Sequence, residues 1–205
     1  MKSRARNLNT FFLKSINPVV KFMIVSDMLL TGAAGMLAPI FALFIDDFII
    51  GSDELVISMA AGLYLVSRSI FQIPIAHMID RIKGEKDDFS FLVIFSVFIA
   101  LIPLLYLFIS TPLQLYAVQI LLGLVTAFTF PSYMAIFTRH VDKNREGTEW
   151  ALYYTLNDIG TAALAIMGGY LASYYGFPLL IIVISTISLV GASLLIPIRP
   201  YLYKR

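Results

Sequence analysis

The 205-residue chain has no cysteine, which excludes a disulfide framework, a thiolate metal site and a cysteine nucleophile. Its two histidines are too few for a multi-histidine metal centre. Charge is scarce as well. Only 14% of residues are charged and 59% are hydrophobic, with a mean hydropathy of +0.85. An ordinary soluble domain carries about a quarter charged residues, so a water-soluble globule is excluded. Fifteen Lys and Arg against 13 Asp and Glu leave a formal net charge of +2, which gives no support to a nucleic-acid partner. No glycine-rich loop of the kind that cradles phosphates is present, and nothing calls for a cofactor or a metal. No nucleophile, base and orienting group can be picked out together, so the chain is not expected to be an enzyme.

What the sequence has in abundance is long apolar runs. Six of them cover residues 19–45, 55–79, 89–109, 113–138, 148–172 and 178–198. Each is long enough to cross about 30 Å of hydrocarbon as a helix, and none shows the alternating segments of a membrane β-barrel. The fold class expected is an all-α membrane protein with six transmembrane helices. Residues 1–18 read as a lead-in to the bilayer, 19–198 as the membrane domain and 199–205 as a tail. The lead-in has only a brief apolar patch at 11–13, too short for a signal-peptide core. Either an interfacial amphipathic segment or a basic tail fits it.

Lys and Arg fall on one side. Lys2, Arg4, Arg6 and Lys14 precede the first span and Lys21 lies in its first turn, Arg81, Lys83 and Lys86 follow the second, Arg139, Lys143 and Arg145 follow the fourth, and Arg199, Lys204 and Arg205 follow the sixth. The alternate connections, 46–54, 110–112 and 173–176, contain none. By the positive-inside rule both termini are expected in the cytoplasm, with the chain multi-pass in a plasma or inner membrane. A bias this one-sided argues against antiparallel dimers. Any homo-oligomer should be parallel, with its axis along the membrane normal.

The connection after the second span carries Ala76, Asp80, Arg81, Gly84 and Lys86. It resembles the loop between helices 2 and 3 of the major facilitator superfamily, G-x-L-x-D-R-x-G-R-R, with Ala76 in place of the first glycine and Gly84 one residue late. A carboxylate there can accept from open N–H groups at a neighbouring helix start, and the glycine permits the turn. The fourth span has Gln119 and Gly123 where the family usually has R-x-x-x-G, which removes a charge often linked to proton coupling. The passage through Pro131 to Arg145, Glu146 and Gly147 is similar to the family's entry into helix 5. Gly160, Gly168 and Gly169 resemble its antiporter motif, but Leu164 and Ala165 replace the Gly-Pro, so export by antiport is not implied. Gly62-Leu63-Tyr64 and Ala151-Leu152-Tyr153 sit alike in two three-helix units, a trace of 3+3 inverted repeats.

The resemblance implies one half of a two-half transporter, in which the solute binds between the halves at mid-membrane. A parallel homodimer would supply the second half. So would the remainder of a longer chain, if this is a fragment of one, or a partner half encoded separately. The resemblance thus implies a secondary active transporter of a small solute by alternating access, coupled to protons, with the lipid bilayer, the solute and a second copy as partners. The alternative is a non-transporting membrane subunit or scaffold that pairs with another membrane protein.

An ionisable side chain near a helix centre costs about 2.5 to 3.5 kcal/mol, so each requires a partner or a function. Arg68, 12 residues above Asp80, and Asp158, 11 above Gly147, both lie about 17 Å deep at the helical rise. In the family's architecture helix 2 of one half faces helix 5 of the other, which would let Arg68 meet Asp158 of a second copy. A salt bridge within one subunit is the alternative. Asp27, about 8 Å shallower, heads a small and polar stripe with Thr31, Ala34, Ala38 and Ala42. The fourth span has a comparable stripe of Gln119, Gly123, Thr126, Ala127 and Phe130. Helices 1 and 4 line the cavity in the family, so Asp27 is a candidate proton-coupling or cation-recognising acid, or else a carboxylate held by Ser26, Thr31 or a neighbouring helix. Gln72, Tyr154 and Asn157 complete the candidate set, as solute contacts or as polar glue between helices. Pro39, Pro74, Pro103 and Pro131 mark expected kinks.

Overall fold

A computed structural model describes residues 16–81 and 84–202. Most of the expected lead-in, Lys83 in the Asp80–Arg81 connection and the last three residues of the tail lie outside the described residues. Among the described residues every regular element is helical. The first span is α1 (Pro18–Leu37), a 3-10 turn (Ala38–Ile40) and α2 (Phe41–Phe48). The second is α3 (Glu54–Arg81), and the third is α4 (Lys86–Leu101) running into a 3-10 segment (Ile102–Phe108). The fourth is α5 (Pro112–His140) and the fifth α6 (Glu146–Tyr175). The sixth is α7 (Phe177–Ser193), a 3-10 turn (Ile196–Ile198) and the short α8 (Arg199–Leu202). Five spans are long and apolar enough to cross a membrane on that basis alone. The remaining one, α6, dilutes its apolar content with Tyr153, Tyr154, Asn157 and Asp158 and is placed by its packing.

Local chemistry sets the ends. Asn17 accepts from the Val19 N–H at 2.9 Å, with Pro18 at the first helical position, where its missing N–H costs nothing. Thr111 and Gln114 form a reciprocal capping box at the start of α5, again with a proline, Pro112, in the first turn. Pro39, Pro103 and Pro197 sit where α-helix gives way to 3-10 turns, whereas Pro74 and Pro131 stay inside continuous helices. The expected kinks at Pro39 and Pro103 are therefore helix breaks, and those at Pro74 and Pro131 leave the helix unbroken.

Packing has the symmetry of the expected repeat. α3 packs chiefly on α5, and α6 on α1; α4 packs on α5, and α7 on α1; α4 and α7 touch each other. Exchanging α1 with α5, α3 with α6 and α4 with α7 maps this pattern onto itself, as 3+3 inverted repeats require. A sequence echo accompanies it: Leu101-Ile102-Pro103 and Leu195-Ile196-Pro197 both introduce the 3-10 segments that follow α4 and α7. Apolar helices gain nothing by leaving lipid for each other, so close backbone approach must hold them. At Gly123 an added Cβ would stand 2.5 Å from the Tyr64 carbonyl oxygen, and at Gly168 it would strike the Met36 backbone. These two glycines let α5 meet α3 and α6 meet α1.

Two apolar clusters fill the ends of the bundle. One, at the end away from the termini, includes Phe44, Tyr106, Leu115, Phe177 and Leu180. The other, at the terminal end, includes Met23, Phe137, Leu152, Leu195 and Ile198. The space between them is where polar side chains collect. Substituting Gly123→Ala should lower stability by about 1–3 kcal/mol, because the neighbour is backbone and cannot swing aside. Gly62→Ala, with nothing within 4 Å of its new Cβ, should be neutral or slightly stabilising. Thermal unfolding in detergent, followed by circular dichroism, measures both.

Candidate functional site

Asp27 lies in the middle of α1, on the face that turns toward α6. Its Oδ2 accepts from Tyr153 Oη at 2.8 Å and from Asn157 Nδ2 at 3.3 Å. Tyr153 and Asn157 are four residues apart, one helical turn, and so reach the same carboxylate from one face of α6. Thr31 Oγ1 joins the group, 2.6 Å from the Asp27 backbone carbonyl and 3.2 Å from Asn157 Oδ1. Of the two readings of Asp27, the neighbouring-helix contact is present. Ser26 takes no part, since its hydroxyl donates to the Gly191 carbonyl of α7 at 2.7 Å.

The same carboxylate borders a cavity of about 350 Å³, whose walls include Thr31, Ala34, Arg68, Thr126, Phe130 and Tyr133. Pockets that hold small molecules begin near this size. A second cavity of about 290 Å³ shares Leu30, Ala34, Tyr64, Ile99 and Leu122 with the first and continues toward Tyr106 and Gln119. Gln119 is buried and donates through Nε2 to Tyr106 Oη at 3.2 Å. The repeat-related tyrosines Tyr64 and Tyr153 both line the first cavity. The expected stripe of α5 divides: Thr126 and Phe130 face the cavity, while Gly123 and Ala127 pack toward α3.

Arg68 reaches the cavity from α3. Its Nε donates to Gln72 Oε1 at 3.1 Å and its guanidinium lies 5.0 Å from the centre of the Phe130 ring, within cation–π range. Asp158 is exposed on α6, as is Ile159, and makes no hydrogen bond or ion pair among the described residues. Arg68 and Asp158 therefore do not form a salt bridge within the chain, because α3 and α6 are not packed on each other. Tyr154 is 58% exposed and stacks on Trp150, outside the cavity. Asp80 and Arg81 are exposed at the end of α3, and Gly84 has φ +125°, a conformation that favours glycine.

The terminal-end connections hold a charge cluster that the sequence did not reveal. Asp88, 1% exposed, is paired with Arg139 and so ties the start of α4 to the end of α5. His140 is buried, with Nδ1 3.0 Å from the Ile136 carbonyl and Nε2 3.9 Å from Glu85. The turn 142–146 closes through an Asp142–Arg145 pair at 3.8 Å and the Asn144 N–H donating to Glu146 at 3.1 Å. Backbone N–H groups, its own first and then that of Asn144, hold the exposed Glu146 carboxyl below its usual range. Tyr133 and Ser96 also line the cavity without having been foreseen; their spacing on otherwise apolar helices gave no sign of it. Tyr153 was legible only as part of the repeat, although its place one turn before Asn157 marks the same face.

The arrangement is that of an all-helical, multi-pass membrane protein whose inverted repeats enclose a mid-depth cavity with one hydrogen-bonded acid. Residues 23–204 match the Major Facilitator Superfamily, and the chain belongs to that family. It is 30% identical to the uncharacterized MFS-type transporter MJ1560 of Methanocaldococcus jannaschii over 69% of this chain and 35% of that one. It is 27% identical to the multidrug resistance protein MdtG of Escherichia coli O9:H4 strain HS over 86% of this chain and 43% of that one. The chain thus spans less than half the length of the curated relatives it matches.

Removing Arg139 would leave Asp88 buried with its charge unpaired. Arg139→Leu should cost about 1–3 kcal/mol in thermal unfolding, and adding Asp88→Asn to it should recover part of that loss.

Proposed function

We propose that this six-helix unit forms half of a secondary transporter that moves a small solute by alternating access, with Asp27 as the proton-coupling acid. The observation that carries the reading is the Asp27, Tyr153 and Asn157 cluster at the edge of a mid-depth cavity, between two apolar plugs. A carboxylate in that position can hold a proton when the cavity is open to one side and release it when open to the other. Release would be assisted by Tyr153 and Asn157, which donate to the ionised form. The names of relatives such as MdtG, a multidrug resistance protein, support a small organic solute.

The second half is a parallel second copy of this chain. Support comes from two opposite charges that make no ion pair among the described residues and, unlike Asp27, are not held by a hydrogen-bonded cluster on a neighbouring helix: Arg68 on α3 and Asp158 on α6. A two-fold axis along the membrane normal would bring each toward the other's counterpart, twice over. The one-sided distribution of Lys and Arg supports a plasma or inner membrane setting with both termini in the cytoplasm. It also supports the division into a lead-in at 1–18, a membrane domain at 19–198 and a tail at 199–205.

Purified chain in liposomes with a pH-sensitive dye should show proton movement that depends on added solute. Asp27→Asn should abolish that coupled flux while leaving the fold intact. Coupled flux that survives Asp27→Asn rules out the coupling role, and the absence of any solute-dependent flux, together with stoichiometric capture of another membrane protein, favours a scaffold.

A further inference from the structure

The first cavity contains more hydrogen-bonding capacity than the Asp27 cluster uses. Ser96 on α4 is fully buried and Tyr133 on α5 is 6% exposed, and both line the cavity. Neither hydroxyl oxygen has a hydrogen-bond partner among the described residues. Buried hydroxyls without partners are uncommon and costly, so two in one cavity point to something that satisfies them. Asp27 contributes a third acceptor. Its Oδ2 is occupied by Tyr153 and Asn157, and no hydrogen bond to Oδ1 is made among the described residues. Tyr133 is adjacent to this group, its ring centre 5.9 Å from that of Tyr153.

The chamber's other walls are apolar and aromatic side chains, Arg68, and the hydroxyls of Ser26, Thr31, Thr126 and Thr129, each of which already donates to a backbone carbonyl. Three free oxygen acceptors, one of them a carboxylate, match one ligand chemistry. A primary ammonium has three N–H donors and one positive charge. A quaternary ammonium would keep the charge but leave both hydroxyls unmet. A neutral alcohol would leave the carboxylate without a counter-charge. We propose that this chamber binds the primary ammonium head of an amphipathic amine through Asp27, Ser96 and Tyr133, with the apolar body extending into the connected second cavity. The reading deepens the proposed function and rests on that cavity being the solute site. Arg68 lines the same chamber from α3, where it is held by Gln72 and Phe130; in the parallel pair its charge is balanced by Asp158 of the other copy.

Trp150 is the only tryptophan and lies 5.7 Å from the Tyr153 ring, so its emission reports on the chamber without a label. The full chain in lipid nanodiscs would be titrated with 2-phenylethylamine, its N,N,N-trimethyl derivative, 2-phenylethanol and L-phenylalanine. The amine should bind at least about tenfold more tightly than the trimethyl compound and the alcohol, since each of those forgoes hydrogen bonds to or from a charged group. Ser96→Ala and Tyr133→Phe should each reduce the amine's preference over the trimethyl compound several-fold, and Ser96→Thr, which keeps the hydroxyl, should retain it.

Equal or tighter binding of the trimethyl compound, or no binding of the amine, overturns the proposal. So does a preference that persists in both hydroxyl-deleted variants, which would mean that water satisfies those oxygens. Tighter binding of L-phenylalanine overturns it in favour of a zwitterion site that uses Arg68. The ligand series on the unmodified chain decides even where a variant fails to fold. Proton flux driven by a solute that is not an amine would leave the transport reading standing and remove this one; amine-selective binding without flux would do the reverse.

Discussion

Hydrocarbon accepts a helix because the helix satisfies its own backbone, and it accepts a charged side chain only where the protein supplies a partner. Three ionisable groups lie well inside the membrane-spanning region, and much of the structure follows from how each is accommodated. Asp27 is accommodated within the chain, by a tyrosine and an asparagine one turn apart on α6. That contact requires α1 and α6 to run close together, which the small residues between them allow: a Cβ at Gly168 would strike the Met36 backbone, and one at Gly35 would stand 2.5 Å from the Thr161 methyl. The polar cluster and the glycine contacts are two aspects of a single helix pairing.

The inverted repeat sets this pairing beside a contrasting one. α3 and α5 are the counterparts of α6 and α1, yet there Ser67 donates to the Ile120 carbonyl at 2.8 Å, and Gly123 is pressed against α3. One half of the repeat thus joins its helices through a neutral hydroxyl and the other through a carboxylate. The asymmetry puts an acid, Asp27, on the cavity wall. Arg68 lines the same cavity from α3, with an amide and an aromatic ring for company and no carboxylate among the described residues. Among the described residues none of the three intramembrane charges has an ion pair; Asp27 is held by Tyr153 and Asn157, which leaves Arg68 and the exposed Asp158 as the pair of opposite sign still to be matched.

Much of this was legible in the sequence, for reasons that can be named. Long apolar runs and the placement of Lys and Arg gave the spans, because hydrocarbon imposes both. Asp27 and Arg68 were visible as candidates because a charge in an apolar run is conspicuous, and both border the cavity. Gln119 was visible as the residue in place of the family's arginine, and it borders the second cavity, buried against Tyr106. Tyr154 and Asp158 lie outside the cavity, since the face that α6 turns toward α1 is the one carrying Tyr153, Asn157, Thr161 and Gly168. Ser96 and Tyr133 were not legible, because a lone hydroxyl on an apolar helix looks the same whether it faces a cavity or its own backbone. The Asp88–Arg139 pair joins two residues far apart in sequence, a contact that only the packing of α4 on α5 creates.

The central claim is that the charges left over by one copy are completed by another. It is tested most directly by charge exchange, with the oligomeric state read by native mass spectrometry from lipid nanodiscs. Arg68→Asp and Asp158→Arg should each shift the chain from dimer toward monomer, and the double exchange should restore the dimer. A chain that is monomeric from the start, or a double exchange that restores nothing, would contradict the account.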